Sequence, residues 1–266
     1  MSSNTDEKFM SWTGLAAQAW DPSGGDEPQR DFPFIKALLE KNGGVSLDVG
    51  CGTGRLLLRY LAAGLEVEGL DSSADMLAIC REKAAAQGLT PVLYQQSMHK
   101  LDVSHQYGTI YVPCGTFVLL VDREQAWEAL RRMYDHLEPG GTLLLTTFSP
   151  FDKGEPLSDH PRGGSGEWEA LWDDPLPDGR IISQHMKVEK INRAEQLLLA
   201  HRRYRLLEED KVVAEEIFDS HERWYFKHEM ELMLRLVGFQ NIEITGNWTS
   251  EPFSDDHDTM VIIAQR

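Results

Sequence analysis

The sequence predicts an α/β fold: strands alternate with helices in a parallel sheet, and an antiparallel β-meander is inserted late in the chain. Three observations carry this reading. The apolar run Val45-Ser46-Leu47-Asp48-Val49 ends in glycines at alternate positions, Gly50, Gly52 and Gly54, and a helical pattern follows at Leu56, Leu57, Tyr60 and Leu61. A second apolar run over 65–70 then delivers Asp71 at its end, about 20 residues beyond the loop, as a βαβ nucleotide-binding unit requires. Finally, residues 180–225 hold three strand-like runs joined by polar turns, with no helical pattern between them.

The elements follow in order. Residues 1–12 read as a loose lead-in, and residues 16–21 as a helix end broken by Pro22-Ser23-Gly24-Gly25. Residues 28–41 form an amphipathic helix through Phe32, Phe34, Ile35, Leu38 and Leu39, closed by Asn42-Gly43-Gly44. After Asp71, Ser72 or Ser73 caps a helix that runs to Gln87 and stops at Gly88. Residues 92–95 give a third strand, and 107–117 a fourth that runs out into a loop. Asp122, with Gln125 three residues on, starts a helix whose apolar face is Trp127, Leu130, Met133 and Leu137. The turn Leu137-Glu138-Pro139-Gly140-Gly141 leads into a fifth strand over 142–148.

From 149 to 178 glycine and proline dominate, which reads as a loop-rich insert. The meander strands are 180–191, 195–207 and 211–225, turning at Asn192-Arg193-Ala194 and Glu208-Glu209-Asp210. Counting about those turns sets His185 opposite Arg202 and His201 opposite Phe218, so His185, His201 and His221 do not line up on one metal. A helix over 227–237 ending at Gly238, a strand over 241–245, a rim loop over 247–257 and a last strand over 258–264 complete the chain. The expected organisation is one domain over 1–266, with 149–225 as a lid insert.

Composition narrows the function. At 266 residues and 41% hydrophobic, the chain can bury a full core. Its 43 acidic residues outnumber 26 basic ones, for a formal charge of −17. Nucleic-acid affinity rests largely on Lys and Arg neutralising phosphates, so no nucleic-acid partner is expected. The three cysteines are scattered, which argues against a disulfide framework or a zinc site. No apolar stretch approaches the length of a membrane span, and the start of the chain is polar and acidic. A cytoplasmic protein is the expectation.

The glycine loop decides the cofactor class. Glycine permits positive φ and close approach of a ligand to the backbone, and the following helix start offers free N–H groups. A dinucleotide fold wants G-x-G-x-x-G, whereas this chain reads G-x-G-x-G with Arg55 next. Asp48, two residues before the first glycine, would repel a pyrophosphate but suits an ammonium group. Asp71 can accept both hydroxyls of a ribose.

Asp48-Val49-Gly50-Cys51-Gly52-Thr53-Gly54 resembles motif I of the class I S-adenosylmethionine (SAM)-dependent methyltransferases. Asp71-Ser72-Ser73-Ala74-Asp75-Met76 resembles the same family's next segment. The resemblance covers residues 16–148 and 226–265. It implies a seven-stranded Rossmann-like methyltransferase sheet, strand order 3-2-1-4-5-7-6, with the last strand antiparallel and the meander as a lid. It also implies SAM as cofactor, held by Trp20, Asp48, Gly50, Cys51, Gly52, Gly54, Asp71, Ser72, Met76, Ser97, Met98 and Cys114. Trp20 stands where relatives carry a lid tyrosine, Met76 would pack on the adenine, and Ser97 replaces the usual Asp at the adenine amine. Arg30 is a candidate partner for the cofactor carboxylate, and Phe117 and Trp224 are candidate substrate contacts. His185, His201, His221 and Tyr94 are candidates for a general base, with proximity alone as the alternative. The implied function is methyl transfer to an O or N nucleophile on a small molecule. The alternatives are a protein or RNA acceptor, or a SAM sensor without turnover. A homodimer through the exposed meander edges is also expected.

Overall fold

The computed structural model describes residues 12–23, 30–148 and 166–266. The chain runs α1 (Gly14–Ser23), α2 (Asp31–Asn42), β1 (Ser46–Val49), α3 (Leu57–Ala62), β2 (Val67–Asp71), α4 (Ala74–Ala86), β3 (Leu93–Gln95), β4 (Tyr107–Val112), α5 (Arg123–Asp135) and β5 (Leu137–Phe148). It continues through β6 (Glu169–Pro175), β7 (Ile181–Asn192), β8 (Leu197–Glu208), β9 (Lys211–Arg223), α6 (Lys227–Val237), β10 (Gln240–Gly246) and β11 (Thr259–Gln265).

Seven strands form one sheet in the order β10-β11-β5-β4-β1-β2-β3. Counted within this sheet, that is the expected 3-2-1-4-5-7-6. β11 runs antiparallel to both β5 and β10, while β1 to β5 are parallel. β1 is buried at all four positions, as a central parallel strand covered on both faces must be. Leu47 and Val49 face a core shared with Leu130 and Met133 of α5 and Leu234 of α6. The opposite face packs Tyr111, Leu144 and Val261 against Ile35 of α2, Leu57 and Tyr60 of α3, and Leu77 and Cys80 of α4. The result is three layers, with helices on both faces of the sheet.

The insert holds a second, antiparallel sheet in the order β6-β7-β8-β9. Its fourth strand, β6, falls within 149–178, where the sequence reads as loop. Glu169-Ala170-Leu171-Trp172-Asp173-Asp174-Pro175 has no clean alternation, and a register shift between Ala170 and Trp172 spoils its period. Residues 149–165 lie outside the described ones. The meander registers differ by one residue from the hairpin counting. His185 pairs with Arg203, and His201 with Asp219. The β7–β8 turn takes four residues, 193–196, and bulges lie between Val188 and Lys190 and between Leu206 and Leu207. β5 begins at Leu137, because Leu137 already pairs with Tyr107 and the Gly140-Gly141 turn bonds to Arg266.

A polar knot ties β2, β3 and β4 at the end of the first sheet away from Asp71. Glu68 Oε2 accepts from the hydroxyls of Tyr107 at 2.8 Å and Tyr94 at 3.0 Å, with His105 Nε2 at 3.1 Å. Tyr107 is fully buried. Glu68→Ala strands both hydroxyls, and an unsatisfied buried donor costs about 1–3 kcal/mol. Urea unfolding should show a loss of about 2–4 kcal/mol, with ligand affinity at the far edge unchanged.

Candidate functional site

Asp48 and Asp71 stand at the carboxyl ends of neighbouring strands, where open α/β sheets bind ligands. Between them runs the glycine loop, with positive φ at Gly50 (78°), Gly52 (54°) and Gly54 (85°). The three glycines do different work. A Cβ on Gly54 would stand 2.7 Å from Cys80 Sγ and 2.8 Å from Leu58 Cγ, so this glycine lets α3 and α4 close on the loop. A Cβ on Gly50 would stand 2.5 Å from Thr116 Cγ2, so this one admits the loop after β4. A Cβ on Gly52 would meet only Met76 Cε at 3.2 Å and Trp20 Nε1 at 3.8 Å. That glycine borders the open space where a ligand can lie against backbone.

Asp71 organises the loop. Its Oδ2 accepts from Gly52 N–H at 2.9 Å, and its Oδ1 from Ser73 N–H at 2.8 Å. Burial raises its pKa above the ordinary carboxylate value, against the pull of those backbone donors. Each oxygen keeps a second lone pair for a ribose hydroxyl. Ser73, not Ser72, caps α4 by accepting from Met76 N–H at 3.2 Å; Ser72 is exposed.

Asp48 is 1% exposed and lies on the α2–α3 side of the sheet, with Tyr111 as its register partner. Burial pushes its carboxyl up to about 7, while the Tyr111 hydroxyl and the Arg55 guanidinium pull it down. Its Oδ1 has no hydrogen-bond partner. Cys51 turns its sulfur under the sheet, where a Cβ on Gly69 would stand 2.8 Å from it, so only its backbone faces the loop's ligand side.

α1 closes over this loop. Trp20 packs edge-on against Trp12 at 4.7 Å, and its indole nitrogen faces Gly52. Asp21 accepts from Thr53 Oγ1 at 2.6 Å and from Lys83 at 3.0 Å. At the other end, Gly14 N–H donates to Asp75 and Leu15 N–H to Glu216 of β9, both at 2.8 Å. Leu15, Ala16 and Ala19 pack on Ile182, Tyr204 and Leu206. The helix therefore bridges the second sheet and the glycine loop.

The remaining candidates separate. Met76 and Gly52 lie side by side. Met98 instead points into the core with Leu101 and α5, because 98–100 form a 3-10 turn packed on that helix. Ser97, half-buried, starts that turn and makes no capping bond. Phe117 is fully buried against Tyr225 at 5.2 Å, since the chain turns back inward at Thr116–Leu119. Trp224 is also buried. Neither presents surface to a substrate. Arg30 is exposed and caps nothing. His185, His201 and His221 share one face of the second sheet, opposite the face that packs on α1. His201 sits between Asp219 at 3.0 Å and Glu189 at 3.3 Å. Tyr94 is committed to Glu68. No group of three side chains suited to hold a metal ion occurs among the described residues. Neither Trp12 nor the contact between Asp31, Arg55 and Cys114, which joins segments far apart in the chain, is legible in the sequence.

A family profile described as a methyltransferase domain matches residues 47–141, the stretch that builds this loop and both carboxylates. Residues 47–141 thus belong to a methyltransferase domain, and the whole chain shares the fold of a SAM-dependent methyltransferase. Demethylmenaquinone methyltransferase of Thermus thermophilus is 36% identical over 123 residues, 45% of this chain and 54% of that protein. Cypemycin N-terminal methyltransferase of a Streptomyces species is 23% identical over 233 residues, 88% of this chain and 87% of that protein. The chain spans about half the length of the first curated relatives it matches. Among solved structures, a SAM-dependent methyltransferase from Clostridium acetobutylicum has a TM-score of 0.75 at 17% identity, covering 94% of this chain and 96% of that one. The sugar N-methyltransferase KedS8 from a Streptoalloteichus species has a TM-score of 0.71 at 16% identity, covering 100% and 98%. At such identities the structural likeness speaks for the fold.

SAM is the cofactor of this family, and the domain's own residues fit it. The unpartnered Asp48 Oδ1 suits the ammonium, Asp71 has lone pairs left for the ribose, and Gly52 leaves room between Met76 and Trp20. Gly52→Val should abolish SAM binding by filling that room. The sequence alone leads one to expect an undisturbed fold in this variant. At φ 54° a β-branched residue instead adds about 1–2 kcal/mol of backbone strain. Calorimetry with S-adenosylhomocysteine (SAH), beside a melting curve, separates the two effects.

Proposed function

We propose that the chain transfers a methyl group from SAM to an O or N nucleophile on a small molecule, chiefly by holding the reactants in line. The observation that carries this reading is the loop bounded by Asp48 and Asp71 and roofed by α1, which the second sheet supports from behind. When bound, SAM supplies a methyl on a sulfonium, whose thioether is already a good leaving group. Asp48 receives the ammonium, Asp71 the ribose, and Trp20 and Met76 flank the opening at Gly52. The loop after β4, packed on Gly50 through Thr116, borders the acceptor side. Tyr94 is committed to Glu68 and the three histidines lie on the face of the second sheet away from α1, so in this reading orientation supplies the rate, and it can supply about 7–11 kcal/mol. An N acceptor that is already deprotonated needs no base.

The strongly acidic chain and the loop-supported roof favour a small neutral or cationic acceptor over RNA. Proteins named as an N-terminal methyltransferase and a sugar N-methyltransferase support an N acceptor. The insert over 149–225 acts in this reading as the lid. No helix among the described residues is long and apolar enough to cross a membrane. A homodimer forms through β9, an edge strand whose Val212, Val213 and Ile217 are half exposed; a monomer mass by light scattering contradicts it.

The test is SAH formation from SAM across amines, amino sugars and phenols, beside bulk protein and RNA. Turnover on the small molecules supports the proposal. Labelling confined to protein or RNA overturns the acceptor class, and SAH binding with no turnover on any acceptor points to a sensor.

A further inference from the structure

Cys114 and Gly115 both adopt left-handed backbone, with φ of 55° and 65°. Glycine does this freely; a cysteine there needs support from its surroundings. The turn swings the chain from the end of β4 into the loop that reaches Gly50. Gly115 N–H donates to Thr146 Oγ1 at 3.0 Å, and Thr116 N–H to Pro113 O at 3.1 Å. The Cys114 side chain is held by a third segment. Arg55, the residue after the last loop glycine, places one guanidinium nitrogen 2.8 Å from Cys114 Sγ and 2.5 Å from Asp31 Oδ2. Asp31 opens α2, is 7% exposed, and leaves its Oδ1 unpartnered. Three segments therefore meet on one guanidinium: the start of α2, the glycine loop and the turn after β4. Both bonds leave one nitrogen, Nη2, whose two N–H donors point to the two acceptors in the fixed plane of the guanidinium.

We propose that Arg55 is a positioning residue: clamped by Asp31, it holds the Cys114 sulfur and so fixes the left-handed turn that carries the acceptor-side loop past the cofactor. The proposal rests on the SAM reading above. Arg55 makes no bond to the reacting atoms; it acts through Cys114. Asp31 and Arg55 both act on the Asp48 carboxyl, Asp31 raising its pKa and Arg55 lowering it, so the clamp borders the place assigned to the ammonium. Ligand and loop thus share one support.

Amide hydrogen exchange on the full chain tests this, with SAH as the probe. In the wild type, saturating SAH should slow exchange across 113–120. In Arg55→Met combined with Asp31→Asn, which leaves no lone buried charge, exchange there should speed up about tenfold while β1 and β5 stay protected. Arg55→Lys should restore part of the protection, because an ammonium keeps the charge and the donors but lacks the rigid plane that holds them in place. Cys114→Ala, which removes the sulfur alone, should loosen the same segment. Loop exchange within twofold of wild type in these variants overturns the proposal, as does a loosening spread evenly over the whole domain. If the wild type binds no SAH, the cofactor reading fails, whatever the loop does in the variants.

Discussion

Asp48→Asn should flatten the pH dependence of stability and weaken SAM together. The sign follows from burial. The folded Asp48 carboxyl titrates at about 7 and the unfolded one near 3.8, so between these values the folded chain holds the extra proton. Its contribution to stability is fully present below 3.8 and is lost as pH rises to 7. That span corresponds to about 4 kcal/mol for this one group. Urea melts from pH 4 to pH 8 should therefore show wild type losing ground to Asp48→Asn by about that amount. Ligand binding runs the other way. The carboxylate must be ionised to receive the ammonium, so wild-type affinity for SAM should fall below pH 7, by up to about tenfold per unit. The Asn variant should bind about 1.5–3 kcal/mol more weakly at pH 8, the worth of a hydrogen bond to a charged group. Equal affinities at pH 8 would remove Asp48 from the cofactor site.

Asp71→Ala should weaken SAM by about 1.5–3 kcal/mol, or roughly 10- to 150-fold, if the carboxylate holds the ribose through charged hydrogen bonds. The structure adds a second effect. The same carboxylate anchors Gly52 and Ser73, so Ala also frees two backbone donors and loosens the loop. Asp71→Asn separates the effects, since it keeps one acceptor oxygen. If Asn preserves the melting temperature yet binds as weakly as Ala, ribose recognition is the larger part. Unchanged affinity by calorimetry in both variants refutes the assignment.

The parallel sheet and the glycine loop were legible because their signals are local. An apolar run, alternate glycines and a carboxylate at the next strand end all follow from the residues between 45 and 71. The meander strands were legible by alternation, but their register was not. A four-residue turn and two bulges shift each pairing by one, and a shift of one exchanges the faces. β6 escaped because acidic residues and proline mask an irregular edge strand. Phe117 read as a cleft residue because it follows a strand end; the left-handed Cys114-Gly115 pair then turns it into the core. Met98 went the same way through the 3-10 turn on α5. The contact between Asp31, Arg55 and Cys114 spans 24 and 59 residues of sequence, and nothing in those residues announces it. Local chemistry set the glycine loop and its two carboxylates, and tertiary packing set the turn after β4.

The most direct measurement is a thermal-shift series with SAM, SAH, NAD and ATP. A ligand at 100 times its dissociation constant adds about 2.7 kcal/mol of stability, a rise of roughly 5–11 °C for a chain of this size. The account predicts that rise with SAM and SAH, and none with NAD or ATP. A rise with NAD or ATP alone, or with none of the four, would contradict it.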